Sequence, residues 1–351
     1  MSYSGFSGFS GFSGFSGFSG FSGFSGFSGF SGFSGFSGFA GVTAPLTQMS
    51  GGPIPQALLT TRDGIHKVMG SGPTGWHEGV TKTWRAAGSE SVSDFTGLPF
   101  NDANAIQKMA QPLRMFIYTM ELMAQCSVTS ATAANTMEFK GLTGPALLTL
   151  QRPTYGQFLA QLGEVESWAY RREERAAEIM SQTIPQAPFW SSILDLQPHR
   201  MPRTLELADC ALNFAMLICM RFKHAFNCPR PSEYSPHIQP LIPVPAHSCF
   251  PSGHATESRV FAELMNVLLG LNGNDSYLQL AALSDRIATN RIVAGLHFPI
   301  DSEKGHDLGK AINVFFVNHA TIDGDHSKSS NTTIGWLWSE ARKEAKQFGF
   351  V

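Results

Sequence analysis

Apolar residues recur at spacings of three and four through Phe158, Leu162, Val165 and Ala169, which defines one helical face. Arg171, Arg172, Glu173, Glu174, Arg175 and Glu178 follow, spaced to pair at i,i+3 and i,i+4. This predicts a surface helix whose charge run serves only solvation. The helical pattern starts near residue 103, and Gly144-Pro145, Arg152-Pro153, Pro185 and Pro188 divide it into shorter helices. The most apolar stretch, Leu205 to Phe222, is interrupted by Glu206, Asp209 and Asn213, so it suits a buried helix of about 204–226 better than a membrane span. Pro229 and Pro231 stop that helix. Pro251 precedes a second over about 252–270. A third covers roughly 276–294, Gly295 breaks it, and Pro299 opens the next. Alternating strand patterns are nearly absent. The expected fold is therefore an all-α helical bundle rather than a doubly wound sheet.

Residues 4–39 are twelve consecutive Ser-Gly-Phe copies, with no charge and no aliphatic side chain, and they cannot build a packed core alone. No charged residue precedes Arg62. The expected organisation is a disordered tail over 1–60 and a single helical domain over 61–351. An expanded repeat at a chain terminus is tolerated without a role of its own. The alternative is a sticky tail making weak multivalent contacts through its phenylalanines.

With 351 residues, 42% of them hydrophobic, the chain can fill one large core or two small ones. A net charge of −2 offers no basic field, which argues against a nucleic-acid partner. The N-terminus shows no basic region followed by an apolar core, so no secretory signal is read there. Cys126, Cys210, Cys219, Cys228 and Cys249 follow no pairing pattern and suit reduced thiols. The expectation is a cytoplasmic protein without a membrane span.

Three segments carry the candidate chemistry: Lys223 with Arg230-Pro231, then Pro251-Ser252-Gly253-His254, then Arg291 with His297 and Asp301. Lys223, Arg230 and Arg291 offer positive charge. Ser252 and Gly253 offer a hydroxyl and an amide at a helix start, where anions are favoured. His254 and His297 offer proton transfer and nucleophilicity, and Asp301 can orient one of them. All of them fall at predicted helix ends, which places one oxyanion pocket among four termini. Three cations and two histidines gathered in a core would be unstable without an anion to neutralise them.

Lys223, six residues, Arg230-Pro231; the tetrapeptide 251–254; and Arg291, five residues, His297, three residues, Asp301 resemble the tripartite signature of the type-2 phosphatidic acid phosphatase and vanadium haloperoxidase superfamily. The resemblance covers roughly residues 205–320 and suggests a soluble member. One position departs: many members have serine where Asn290 stands, a difference read here as peripheral.

On the phosphatase reading, the resemblance implies a phosphomonoester held by Lys223, Arg230, Ser252, Gly253 and Arg291. His297 forms a phosphohistidine, Asp301 fixes its tautomer, His254 protonates the leaving alcohol, and no metal or cofactor is needed. On the haloperoxidase reading vanadate is the cofactor, His297 is its axial ligand, and halide and peroxide are the substrates. Only twenty residues separate Pro231 from Ser252, whereas many haloperoxidases carry long insertions there, and Met220 stands where they often have an aromatic residue. Both features favour the phosphatase. Ala255-Thr256 and a helical region before the motifs also resemble bacterial haloperoxidase-related proteins. A third reading is an inactive binding or assembly protein working through its tail; retention of Lys223, His254 and His297 argues against it. His224, His237, His247 and His306 are read as surface or supporting residues. A homodimer is compatible with the sequence.

Overall fold

The computed structural model describes residues 102–183 and 186–351. The tail expected over 1–60 lies outside the described residues. Residues 102–108 belong to a separate unit and form a 3-10 turn, Ala103–Lys108.

From Met109 onward the chain runs α1 (Gln111–Ala124), β1 (Cys126–Ser130), β2 (Thr136–Gly141), β3 (Ala146–Gln151), α2 (Tyr155–Ser167), α3 (Arg172–Ser181) and α4 (Ala187–Leu194). The motif region follows with α5 (Pro202–Phe226), α6 (Pro231–Tyr234), α7 (Gly253–Leu268), α8 (Asp275–Val293) and α9 (Pro299–Ala320). A hairpin of β4 (Thr321–Ile322) and β5 (Asp325–Ser329) leads to α10 (Thr333–Gln347). The fold is mostly helical, but the expectation of an all-α chain needs correction. β1, β2 and β3 form an antiparallel meander, and Gly144-Pro145 turns between two strands instead of two helices. The strands are short and only partly alternating, which hid them: Phe139 is the fully buried residue of β2, packing on Phe214 of α5 and Phe315 of α9.

The helix expected through residues 158–178 is broken by a 3-10 turn, Trp168–Arg171, which reorients α3 toward α8. α7 is the central helix; it packs against α9, α8 and α5, and buries nearly every residue from His254 to Leu268. Its approach to α9 depends on two glycines. A Cβ at Gly305 would lie 2.7 Å from the Ser252 carbonyl oxygen, and one at Gly309 would lie 2.7 Å from that of Thr256.

The polar interruptions of α5 are built into its packing. Glu206 accepts from Arg114 Nε at 2.6 Å and Nη2 at 2.7 Å, joining α5 to α1. Glu344 of α10 accepts the backbone N–H groups of Arg203 and Thr204, both at 2.8 Å, and so caps α5 from a distance. All five cysteines are buried free thiols. Among the described residues no helix is long and apolar enough to cross a membrane.

Candidate active site

Each motif spacing follows from how a helix begins or ends. Lys223 lies in the last turn of α5, which closes with left-handed Asn227 (φ 46°) donating its N–H to the Lys223 carbonyl at 3.0 Å. Arg230 is the N-cap of α6 ahead of Pro231, and Ser252 is the N-cap of α7, its hydroxyl accepting from the Ala255 N–H at 3.5 Å.

α8 ends in a Schellman motif. The Leu296 N–H reaches the Arg291 carbonyl at 3.0 Å, the Gly295 N–H reaches that of Ile292 at 2.8 Å, and Gly295 takes φ 74°. This turn sets the five-residue interval from Arg291 to His297. Asp301 is the third residue of α9; its Oδ2 accepts the N-cap Phe298 N–H at 2.9 Å and lies 3.0 Å from His297 Nδ1. The three-residue interval from His297 to Asp301 is therefore a carboxylate reaching back over its own helix start. Phe298 packs on Phe158, with ring centroids 4.7 Å apart, and on Tyr234 at 5.6 Å, which fixes the turn that carries His297.

These termini meet at a small cavity lined by Lys223, Arg230, Gly253, His254, Arg291 and His297 together with His247, Glu257 and an apolar wall. Ser252 and Asp301 stand behind this lining, where the Ser252 N–H donates to the Asp301 carbonyl at 2.9 Å. Lys223 Nζ donates to the carbonyls of Ser248 at 2.8 Å and Cys249 at 3.0 Å. Arg230 donates to the carbonyls of Leu296 and His247, and its Nη1 lies 3.0 Å from His297 Nε2. Ionised Asp301 can only accept, so His297 Nδ1 carries the proton, and the unprotonated Nε2 accepts from Arg230 Nη1 at the cavity wall.

Arg291 is 1% exposed. Its Nη2 donates to the Ile179 carbonyl at 3.0 Å and to Gln182 Oε1 at 3.2 Å, while Nε and Nη1 have no hydrogen-bond partner among the described residues. Buried cationic donors left unpaired are costly, and a tetrahedral oxyanion in the cavity would satisfy them.

The electrostatics are those of an anion site. Burial brings Lys223 down to about 8 and Arg291 down to about 10. Burial also holds His254 and His297 well below the usual histidine value, with Arg291 adding to the effect on His254 and Arg230 on His297. Asp301 is raised to about 6 by burial, partly offset by the Phe298 N–H. The His297–Asp301 contact is accordingly a hydrogen bond from a neutral imidazole to a carboxylate, rather than an ion pair.

The structure corrects two sequence expectations here. The charge run of α3 does more than solvate a surface: Arg172 Nε caps the Val293 carbonyl of α8 at 2.9 Å, Arg175 Nη1 donates to Asn290 Oδ1 at 3.1 Å, and Glu178 is held by Arg286. Asn290 is not peripheral. It is fully buried, and its Nδ2 donates to Glu178 Oε1 at 2.9 Å and to Gln182 Oε1 at 3.0 Å. Gln182 in turn holds Arg291, and its backbone carbonyl lies 3.2 Å from His254 Nε2. Gln182, Glu178 and Glu257 were not singled out for the site, because nothing within the sequence brings α3 to the end of α8 or marks one glutamate inside α7. His247 contacts Arg230 as a supporting residue. Among the described residues no group of three or more His, Cys, Asp or Glu side chains could hold a metal ion.

Residues 208–320 match the family model of the PAP2 superfamily. That segment belongs to the PAP2 superfamily. The PAP2 match contains all three motifs and runs from within α5 to the end of α9. No curated protein matches the sequence. Among solved structures, the crystal structure of the first bacterial vanadium-dependent iodoperoxidase is similar, with 18% identity and a TM-score of 0.37 over 50% of this chain and 52% of that one. The match therefore spans about half the length of each protein.

Proposed function

We propose that the protein hydrolyses a phosphomonoester through a phosphohistidine, without a metal. The observation that carries this reading is that buried Arg291, with two partnerless donors, and His297, with an unprotonated Nε2 held by Arg230, line one cavity. The phosphoryl oxygens take the free Arg291 donors, Lys223, Arg230 and the first-turn amide of Gly253, each charge-assisted bond being worth about 1.5–3 kcal/mol. Nε2 attacks phosphorus while the bond to the leaving oxygen breaks, and His254 gives that oxygen a proton. Water then attacks the phosphohistidine and returns its proton to His254, which releases phosphate and restores His297. Proton transfer of this kind contributes about 10²–10⁴ in rate.

His254 is neutral in the free pocket because burial and Arg291 disfavour its charge. A phosphate dianion opposes both effects, so substrate binding brings a proton in.

Vanadate would be held by the same donors together with His297, and when bound would supply peroxide activation for halide oxidation. The cavity wall bears three oxidisable sulfurs, those of Met216, Cys219 and Met220. Hypohalite formed there would attack them, which favours hydrolysis.

The test is a paired assay on metal-stripped protein: p-nitrophenyl phosphate hydrolysis and peroxide-dependent halide oxidation, each with and without orthovanadate. Hydrolysis that vanadate inhibits supports the proposal. Halide oxidation that requires vanadate, with no hydrolysis, overturns it.

A further inference from the structure

α1 turns its charges inward and a line of apolar side chains outward. Its only two charged residues, Arg114 and Glu121, are both paired on the inner side: Arg114 with Glu206 of α5, and Glu121 with His319 of α9 and the first N–H groups of α10. The outer side carries Leu113, Ile117 and Met120 at helical spacing, all exposed, Leu113 at 52% and Met120 at 68%, and exposed Met109 continues the line ahead of the helix. Exposed Leu142 extends it past the helix end, where its N–H donates to the Gln125 carbonyl at 2.9 Å. A surface helix ordinarily points its charges to water, and one that is apolar on every side is ordinarily covered. Five large apolar side chains in one line mark an interaction surface rather than scattered exposed residues.

We propose that this face of α1 is the docking site for the Ser-Gly-Phe repeats of its own chain. Composition supports it. Residues 4–39 offer twelve phenylalanines and no charge, which suits an apolar face without charges of its own. Met109 and Met120 favour aromatic partners in particular, because a thioether sulfur packs well at a ring edge. Spacing supports it too. Three residues span at most about 11 Å, and the fourteen residues of α1 about 21 Å, so roughly two or three successive phenylalanines match the line from Met109 to Leu142. Position supplies the rest. The repeats precede α1 in the chain, and residues 40–108 can span far more than the distance required, so docking within one chain proceeds at high effective concentration. A lipid surface fits less well, since an interfacial helix carries lysines and arginines beside its apolar face, and the one arginine of α1 is buried against Glu206.

The experiment places a photoreactive benzoylphenylalanine at Met120 of the full chain, with Leu113 as a second position should the first variant not fold. Lys328, exposed on β5, is the control position. After illumination, trypsin releases the repeats in one peptide, residues 1–62, because no lysine or arginine precedes Arg62. Mass spectrometry is expected to find that peptide joined to the one carrying the probe, in chains of monomer mass, with no such product from the Lys328 position. Replacing the repeat phenylalanines by serine is expected to lower the yield about tenfold or more. A yield that survives this replacement overturns the proposal, as does a probe that reaches no residue of 1–62. Cross-links at dimer mass, from α1 to α1 or to the repeats of another chain, also overturn it and make the face a contact between copies.

Discussion

Gly305 of α9 lies directly against Ser252, so that a Cβ at 305 would come within 2.7 Å of the Ser252 carbonyl oxygen and 2.8 Å of the Ala255 Cβ. This contact seats the N-terminus of α7 on α9 and allows the Ser252 N–H to reach the Asp301 carbonyl at 2.9 Å. Gly305→Ala must therefore push apart the two helix starts that carry His254 and Asp301. The expected cost is about 1–3 kcal/mol from overpacking, with a loss of turnover beyond what unfolding explains. Gly156→Ala in α2 is the control. A Cβ there meets nothing within 4 Å, and removing a helical glycine stabilises by up to about 1 kcal/mol. Denaturant titration beside kcat measures both.

Asn290→Ala removes three hydrogen bonds that tie Glu178, Gln182 and Arg175 together behind Arg291. Gln182 is then held only through its Nε2 bond to Glu178, and Arg291 loses the fixed direction of its free donors. Orthovanadate or phosphate affinity is expected to fall about tenfold, with KM rising more than kcat falls, because the loosened group binds the anion in both ground and transition states.

The pH profile follows from two shifted groups. Asp301, raised to about 6, must be ionised to accept from His297 Nδ1, so kcat/KM rises as pH passes upward through that value. Lys223, lowered to about 8, must be charged to hold the phosphoryl oxygens, so kcat/KM falls above it. A bell with a maximum between these values is the expected outcome of a steady-state pH series.

Stability has its own pH dependence. His254 and His297 titrate in the folded state well below their unfolded value of about 6.5. The unfolded chain therefore binds more protons as pH falls below that value, and stability drops toward acid. Asp301, raised in the fold, binds its proton more tightly when folded and partly opposes the drop between about 4 and 6. Phosphate should lessen the acid loss, since it favours protonated His254; thermal unfolding across pH with and without phosphate tests this.

Arg114→Met leaves the Glu206 carboxylate buried without its bidentate partner between α1 and α5. Arg203 and the Tyr118 hydroxyl still hold the carboxylate, so a loss of about 1–3 kcal/mol is expected from denaturant titration. The double variant Arg114→Met/Glu206→Leu should recover much of it, because the buried carboxylate is gone and Arg203, its other partner, is exposed enough to be hydrated.

Helix starts and stops were readable because they depend on local chemistry. Pro299, Gly295 and Pro251 mark boundaries that the backbone respects to within a residue or two. The motif spacings were readable for the same reason, being cap geometries written in short intervals. The meander β1–β3 was not, since its strands are short and one fully buried residue, Phe139, does much of the packing. The support behind Arg291 was also hidden. Gln182 and Asn290 are 108 residues apart in sequence, and only the turn at Trp168–Arg171 brings α3 across the end of α8. A charged run such as 171–178 looks the same in sequence whether it faces water or another helix's carbonyls.

The account depends most on His297 Nε2 as the atom that takes the phosphoryl group. Rapid quenching of the protein turning over a phosphorus-labelled ester, followed by peptide mapping, reads this directly. The account predicts an acid-labile, base-stable label on His297 that is absent from His297→Ala, which should also lose turnover. Hydrolysis at an undiminished rate in His297→Ala, or a label found on another residue, would contradict it.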